Sequence, residues 1–226
     1  MNRTENFEYN GYNATILIPE NPNGKWLWKT EFFYAFDQAE QALLQKGYSR
    51  VYYQISDKYG SDNAVKLMRE FHKEILKKFY FLEEKPILFG FSRGGLYAFN
   101  YALRYPDCVK KVYFDAPVLN LKSWPKDGST EQEQFFQEYG LNKESFADFN
   151  RSPIDRLDEY FSAHIPTLII AGDSDYVVPF SDNGAIMCER AKELKADVKL
   201  IIKKGCGHHP HSLEDVAPII EFIEKQ

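Results

Sequence analysis

The chain has 226 residues, of which 44% are hydrophobic and 16% aromatic, so it has enough apolar surface for one large core and is not a disordered protein. Its net charge of −5, without any run of lysine or arginine, excludes the electrostatic surface that nucleic acids or anionic membranes require. Its three cysteines (Cys108, Cys188 and Cys206) match neither a disulfide framework nor a zinc site, which favours reduced thiols. At this length a single domain is the simplest expectation.

Residues 1–20 contain no apolar stretch of the kind that forms a signal peptide, and no apolar segment elsewhere approaches membrane-spanning length. We therefore expect a cytoplasmic protein whose partner is a small molecule rather than a nucleic acid or a membrane. The sequence leaves the oligomeric state open.

Short β-branched or aromatic runs alternate with longer amphipathic segments along most of the chain, which is the pattern of βαβ units. This alternation predicts an α/β fold with a mainly parallel central sheet and helices on both faces. In chain order the predicted elements are strands at 14–18 and 25–28, a helix at 36–46, a strand at 50–55, a helix at 62–79, a strand at 86–89, a helix at 96–105, strands at 109–114 and 167–171, a helix at 184–194, a strand at 198–202 and a helix at 216–224.

The alternation is interrupted at about residues 120–157, a polar segment that is rich in phenylalanine and tyrosine. It contains Pro125, Gly128 and Pro153 and only two short helical patches. We predict one domain over residues 1–226 with a cap insertion in this segment, placed over a pocket at the sheet edge. An equally open alternative is a solvated excursion with a small core of its own.

Residues 90–94 read G-F-S-R-G, directly between a predicted apolar strand and a predicted helix. A serine on such a tight turn projects its hydroxyl away from both elements, and the flanking glycines remove Cβ atoms that would clash there. The following helix N-terminus supplies free N–H groups, of which that of Arg93 can face a developing oxyanion. The pattern predicts Ser92 as a nucleophile; the alternative is an ordinary glycine-rich turn.

A nucleophilic serine needs a base, and the chain offers five histidines. His72 and His164 lie within or beside predicted secondary structure and are interpreted as structural. The other three lie in the loop after the predicted strand 198–202, where the arrangement G-x-G-H singles out His208 as the base.

The three histidines at positions 208, 209 and 211 also raise the alternative of a metal site. Carboxylates or cysteines do not recur near them at ligand spacing, and the neighbours His208 and His209 are an uncommon pair of ligands for one ion. We therefore expect no metal, and His211 with Pro210 to shape the rim of the pocket.

The acid that orients the base is predicted in the stretch G-D-S-D-Y-V-V-P, which follows another strand. Asp175 occupies the position expected to face His208, and Asp173 is expected to cap the turn. Asp115 also ends a predicted strand and remains an alternative acid. The resulting chain order of serine, aspartate and histidine differs from the orders of chymotrypsin and subtilisin.

These motifs resemble those of the α/β-hydrolase superfamily over nearly the whole chain, and more narrowly a poorly characterised group of bacterial esterases. The resemblance implies the α/β-hydrolase fold and the triad but no particular substrate. It is carried by W-L-W-K at 26–29, F-S-R-G-G-L at 91–96, D-A-P-V at 115–118, S-W-P at 123–125 and G-H-H-P-H-S-L at 207–213.

One stretch departs from the family pattern. Many relatives have His-Gly after the strand that supplies the second N–H of the oxyanion hole, whereas this chain has Trp28-Lys29-Thr30. We expect the first N–H from Arg93 and the second from the backbone at Lys29 or Trp28.

Arg93 bears on substrate recognition, because glucuronoyl esterases also have an arginine after their catalytic serine. Its guanidinium would either bind a substrate carboxylate or brace neighbouring loops through Asp115 or another acid. The sequence gives both hypotheses equal support.

The function predicted from these residues is hydrolysis of a carboxylic ester of a small, polar substrate through an acyl-enzyme, without a cofactor. Trp124, His209 and Asp115 are expected to contact the substrate. Alternatives are a peptidase, an amidase or a thioesterase with the same triad, or a ligand-binding protein without catalysis. A large-peptide peptidase of the prolyl-oligopeptidase kind is disfavoured, because the sequence shows no propeller domain.

Overall fold

In the computed structural model, which describes residues 2–225, eight strands form one sheet in the order β1-β2-β4-β3-β5-β6-β7-β8. The first two pairings, β1 with β2 and β2 with β4, are antiparallel, and all later neighbours are parallel. The strands are β1 Arg3–Tyr9, β2 Tyr12–Ile18, β3 Trp26–Lys29, β4 Ser49–Tyr53, β5 Ile87–Phe91, β6 Lys111–Asp115, β7 Thr167–Gly172 and β8 Val198–Lys203.

Helices cover both faces of this sheet. Those on one face include α2 and α3, while α1 and α8 pack on the other. The α-helices of the described residues are α1 Gln38–Gln45, α2 Asp62–Lys78, α3 Gly94–Arg104, α4 Thr130–Tyr139, α5 Lys143–Ala147, α6 Leu157–Ser162, α7 Gly184–Leu194 and α8 Ala217–Glu224. The predicted α/β fold with a mainly parallel sheet is confirmed.

The core follows from the alternation of side chains along each strand. In β3, Trp26 and Trp28 point into the cluster beneath α2 and α3, whereas Leu27 points into the cluster beneath α1 and α8. The central strands are buried on both faces, which is why they are largely apolar.

Several boundaries near the site differ from the predicted ones, and two of them have a bearing on the site. The strand β5 continues to Phe91 rather than ending at residue 89, so Ser92 follows its last residue directly. The helix α1 begins at Gln38 rather than at residue 36, because Phe36 has a left-handed φ of 51° that a helix does not accept.

The segment at 120–157 folds as α4, α5 and a 3-10 turn at Pro153–Arg156. It packs on the turn before α2, where the Tyr139 hydroxyl donates to the Tyr59 carbonyl and Ser61 Oγ donates to Glu138. Its buried Phe135 belongs to the main hydrophobic cluster, so its aromatic side chains extend the principal core.

No helix within residues 2–225 combines the length and the apolar character needed to cross a membrane.

Candidate active site

Ser92 lies on a sharp turn between β5 and α3. Its φ is +50°, a conformation that is uncommon for a residue other than glycine, and its N–H donates to the Asp115 carbonyl at 2.9 Å. The turn is possible because its neighbours lack side chains. A Cβ at Gly90 would lie 2.9 Å from Ala98 Cβ, and a Cβ at Gly95 would lie 2.7 Å from Pro117 Cβ.

The imidazole of His208 bridges this serine and a carboxylate. Its Nε2 lies 2.9 Å from Ser92 Oγ, and its Nδ1 lies 2.7 Å from Asp175 Oδ2. All three side chains are largely buried. The structure thus brings together the serine, histidine and aspartate that the sequence predicted, in one hydrogen-bonded chain.

Asp175 is held by the loop after β7. Its second oxygen, Oδ1, accepts the N–H groups of Val177 and Val178 at 2.8 and 2.9 Å. Burial raises the pKa of this carboxyl, but the hydrogen bonds from His208 and the two amides outweigh burial and hold the pKa below its usual value. Asp175 is therefore a carboxylate at neutral pH, suited to orient and stabilise an imidazolium.

Asp173 serves the same loop in another way. Its Oδ1 accepts the N–H of Gly205 at 2.7 Å and the Ser174 hydroxyl at 3.0 Å. It therefore ties the turn after β7 to the loop that carries His208, in line with the capping role predicted for it.

Asp115, which was expected to contact the substrate, lies inside the protein. It is fully buried, and its two oxygens accept the Ser212 N–H, the Tyr113 hydroxyl and a hydrogen bond from His211 Nδ1 at 2.8 Å. It also makes no contact with His208 Nδ1, which Asp175 occupies. Asp115 fastens His211 in the loop that carries the base.

Trp28 and Lys29, which were expected to supply the second oxyanion N–H, both lie inside the sheet. Trp28 pairs with Val51 and Leu88 of the two flanking strands. The Lys29 ammonium is buried against Glu40 at 2.6 Å, and desolvation lowers its pKa.

The free amides lie just beyond this strand. The N–H of Thr30 donates to Phe89 O at 3.0 Å, whereas those of Glu31 and Phe32 have no hydrogen bond within residues 2–225. A Cβ at Gly94 would lie 3.4 Å from Glu31 N, so this backbone runs beside the serine turn. Sequence analysis missed these two residues, although their place directly after a central strand was a usable signal.

Arg93 pairs with Glu31 rather than with Asp115. Its Nη2 lies 3.3 Å from Glu31 Oε2, which also accepts the Ser56 hydroxyl at 3.0 Å, and its guanidinium lies over the Phe32 ring. Burial raises the pKa of Glu31. Glu31 is almost fully buried, and its ion pair with Arg93 opposes the effect of burial on its pKa, which is the bracing arrangement.

We expect Arg93→Ala to reduce stability and to lower kcat/KM on neutral and carboxylate-bearing substrates to the same extent. The loss of unfolding free energy is about 1.5 kcal/mol, the low end for a hydrogen bond to a charged group. Urea unfolding and kinetics on matched substrates measure both effects. Glu31→Gln should reproduce the loss, and the double variant should add little. A loss confined to carboxylate-bearing substrates would instead show substrate recognition.

The two other residues that were expected to contact the substrate lie in different surroundings. His209 is exposed, with its ring centroid 4.9 Å from that of His208 and 5.4 Å from that of Phe36. Trp124 is half-buried against the main core, 6.3 Å from the Tyr59 ring. Their contact with substrate stays a prediction.

His72 is a core residue, as expected from its place in a helix. Its Nδ1 meets the Tyr101 hydroxyl and its Nε2 meets the Glu84 carbonyl. Burial lowers its pKa to about 4, so it remains neutral at physiological pH.

Residues 45–226, more than half of the chain, match the model of the prolyl oligopeptidase family. A comparison with curated proteins found no match. Among solved structures, a puromycin-hydrolyzing peptidase of Mycobacterium tuberculosis is similar with a TM-score of 0.72 and 15% identity, over 92% of this chain and 36% of that one.

Two further structures show the same likeness. An acylaminoacyl peptidase of Pyrococcus horikoshii has a TM-score of 0.67 and 18% identity, over 92% of this chain and 37% of that one. Dipeptidyl peptidase 4 of Porphyromonas gingivalis has a TM-score of 0.68 and 16% identity, over 92% of this chain and 32% of that one. The chain thus spans about a third of the length of these structures, and at such identities they show the fold alone.

The expected membership of the α/β-hydrolase superfamily is confirmed. The expectation against a large-peptide peptidase of the prolyl-oligopeptidase kind stays a prediction about substrate size, whereas the family itself matches over residues 45–226. The chain belongs to the prolyl oligopeptidase family, within the α/β-hydrolase superfamily of serine hydrolases.

Proposed function

We propose that this chain is a serine hydrolase that transfers an acyl group to Ser92 and then to water. The observation that carries the proposal is the continuous hydrogen-bonded chain from Ser92 Oγ through His208 to Asp175, at 2.9 and 2.7 Å. A serine hydroxyl is a weak nucleophile on its own, and a neutral imidazole in contact with it accepts its proton during attack.

The steps follow from this geometry. His208 Nε2 takes the Ser92 proton as Oγ attacks the carbonyl carbon, while Asp175 stabilises the imidazolium through Nδ1–H. The imidazolium then gives that proton to the leaving group, and an acyl-enzyme remains. Water repeats the sequence, so that His208 ends neutral and Ser92 regains its proton.

The oxyanion would be stabilised by backbone N–H groups. The amide of Arg93 precedes the first turn of α3, where the helix dipole favours negative charge. The second donor is the amide of Glu31 or Phe32, which replaces the expected pair of Trp28 and Lys29. This arrangement needs only main-chain groups, which explains how the site tolerates the absence of the His-Gly sequence.

We further propose that the bond cleaved is an amide or peptide bond of a small substrate. The family match and the three structures described as peptidases support this choice over the ester that the sequence favoured. An amine leaves only after protonation, and His208 lies where it can supply that proton. Ester hydrolysis needs less assistance from the same groups, because an alcohol leaves more readily than an amine. We therefore expect the chain to hydrolyse esters as well as amides.

A fluorophosphonate probe and two substrates with one acyl group test these proposals. The probe should label one serine per chain, and Ser92→Ala should abolish labelling and hydrolysis of both a p-nitroanilide and a p-nitrophenyl ester. Ser181→Ala, at an exposed serine, is the matched control. A folded wild-type chain that is not labelled would favour a ligand-binding protein, whereas cleavage of the ester alone would favour an esterase.

A further inference from the structure

The imidazoles of His208, His209 and His211 form a cluster beside the proposed catalytic serine. Their ring centroids lie 4.9, 4.9 and 5.0 Å apart, with interplanar angles of 65°, 79° and 90°. One ligand nitrogen from each residue lies within 4.8 Å of the other two. Three imidazoles on one tetrahedral Zn²⁺, with Zn–N distances near 2.0–2.1 Å, have ring centroids about 5 Å apart.

The second nitrogens of two of these rings are held by carboxylates. His211 Nδ1 meets Asp115 Oδ1 at 2.8 Å, and His208 Nδ1 meets Asp175 Oδ2 at 2.7 Å. In zinc sites a ligating histidine commonly donates its other N–H to a carboxylate, which fixes the ring and raises the basicity of the ligating nitrogen. Both rings therefore have Nε2 as the nitrogen for an ion.

We propose that these three histidines form an inhibitory Zn²⁺ site. The inference rests on the proposed function, because it treats His208 as the base. The lone pair of His208 Nε2, which faces the Ser92 hydroxyl, would be donated to the ion instead, while Nδ1–H stays bonded to Asp175. Nε2 of His211 and a nitrogen of His209 complete three ligands, and water takes the fourth position.

This proposal replaces the expectation of no metal. That expectation rested on the lack of carboxylates or cysteines at ligand spacing and on the adjacency of His208 and His209, an uncommon pair of ligands for one ion. The loop here is irregular and folds back, so the two rings approach to 4.9 Å. The same loop contains Cys206, whose half-buried thiol is a rival zinc ligand and is controlled for in the test.

Zinc binding is measured first on Ser92→Ala, by competition with a chromophoric chelator, so that the readout does not depend on catalysis. We expect one ion per chain, bound at least as tightly as by the wild type because the competing hydroxyl is gone. His209→Gln should weaken binding tenfold or more. His164→Gln, at an exposed histidine outside the cluster, and Cys206→Ser should leave binding unchanged.

Inhibition is measured next, with each variant compared with its own zinc-free rate. Zinc should inhibit the wild type reversibly, with chelation restoring the rate, and His209→Gln should shift the inhibition curve by the same factor as binding. Absence of stoichiometric binding, or equal binding by His209→Gln, would overturn the metal site while leaving the hydrolase proposal standing. Zinc binding by a wild-type chain that cleaves neither substrate would overturn the hydrolase proposal, and with it the inhibitory role.

Discussion

Replacing Asp175 with asparagine is expected to lower kcat by about four orders of magnitude while the chain remains folded. The asparagine Oδ1 can keep the hydrogen bonds from Val177 and Val178, so the loop after β7 retains its anchor. Its NH₂ group, however, would face His208 Nδ1 as a donor. The imidazole then takes the tautomer with a proton on Nε2, which cannot accept the proton of Ser92.

Steady-state kinetics on the p-nitroanilide and thermal unfolding measure the two parts of this prediction. Asp182→Asn is the matched control, because Asp182 is exposed and, within residues 2–225, its side chain accepts a hydrogen bond only from its neighbour Ser181. Loss of activity in Asp115→Asn with near-normal activity in Asp175→Asn would assign the acid to the end of β6. Unfolding of Asp175→Asn would show that the carboxylate charge is needed for the loop, and Asp175→Glu, which keeps the charge but displaces it, would then separate the two effects.

The sheet could be predicted from the sequence because its central strands are short apolar runs between glycine and proline turns. The strand β1 was not predicted, and its sequence shows where the apolar-run signal fails. Its residues Arg3–Tyr9 alternate between exposed and half-buried positions and include Glu5 and Asn6, so the run lacks the apolar density of an inner strand. Its pairing with β2 forms a hairpin at the edge of the sheet, where polar side chains are tolerated.

The residues of the proposed triad could be predicted for a different reason, since each follows its own strand in a recognisable local motif. In contrast, the sequence did not allow us to predict which charged side chains pair with one another. Asp115, Arg93 and Glu31 all lie near the serine turn, and their pairing depends on which strand ends are neighbours in the sheet. The order β3-β5-β6 places Glu31 beside Arg93 and leaves Asp115 beneath the histidine loop.

The position of the groove between α2, α3 and α4 could not be predicted from the sequence either. It has a volume of about 720 Å³, and Ser61, Arg104 and Tyr139 are among the residues that line it. It contains none of the three residues of the proposed triad. The predicted role of residues 120–157 as a cap therefore stays a prediction, because this segment shapes a groove away from the serine.

Gly172 links the acid loop to the base loop, a role that its place at the start of the motif G-D-S-D-Y-V-V-P did not reveal. It is the last residue of β7, three positions before Asp175, and the turn at residues 205–207 lies directly against it. A Cβ there would lie 2.1 Å from Cys206 O and 2.6 Å from Gly207 O, both backbone atoms. The same turn is fixed to the acid loop by the hydrogen bond from Ser174 N to Cys206 O at 3.0 Å.

We expect Gly172→Ala to lower kcat/KM about 100-fold, because a Cβ at this position displaces the turn before His208 by about 1 Å, enough to misalign a base. Overpacking should also lower the free energy of unfolding by about 1–3 kcal/mol. The matched control is Gly207→Ala in the same turn, since a Cβ there has Ser174 O at 3.7 Å as its nearest neighbour and should cost less than tenfold. The two variants are compared by kcat/KM on the p-nitroanilide and by urea unfolding. Equal activity in both would show that the turn can shift without moving His208, and that the base is positioned instead by the contact between His211 and Asp115.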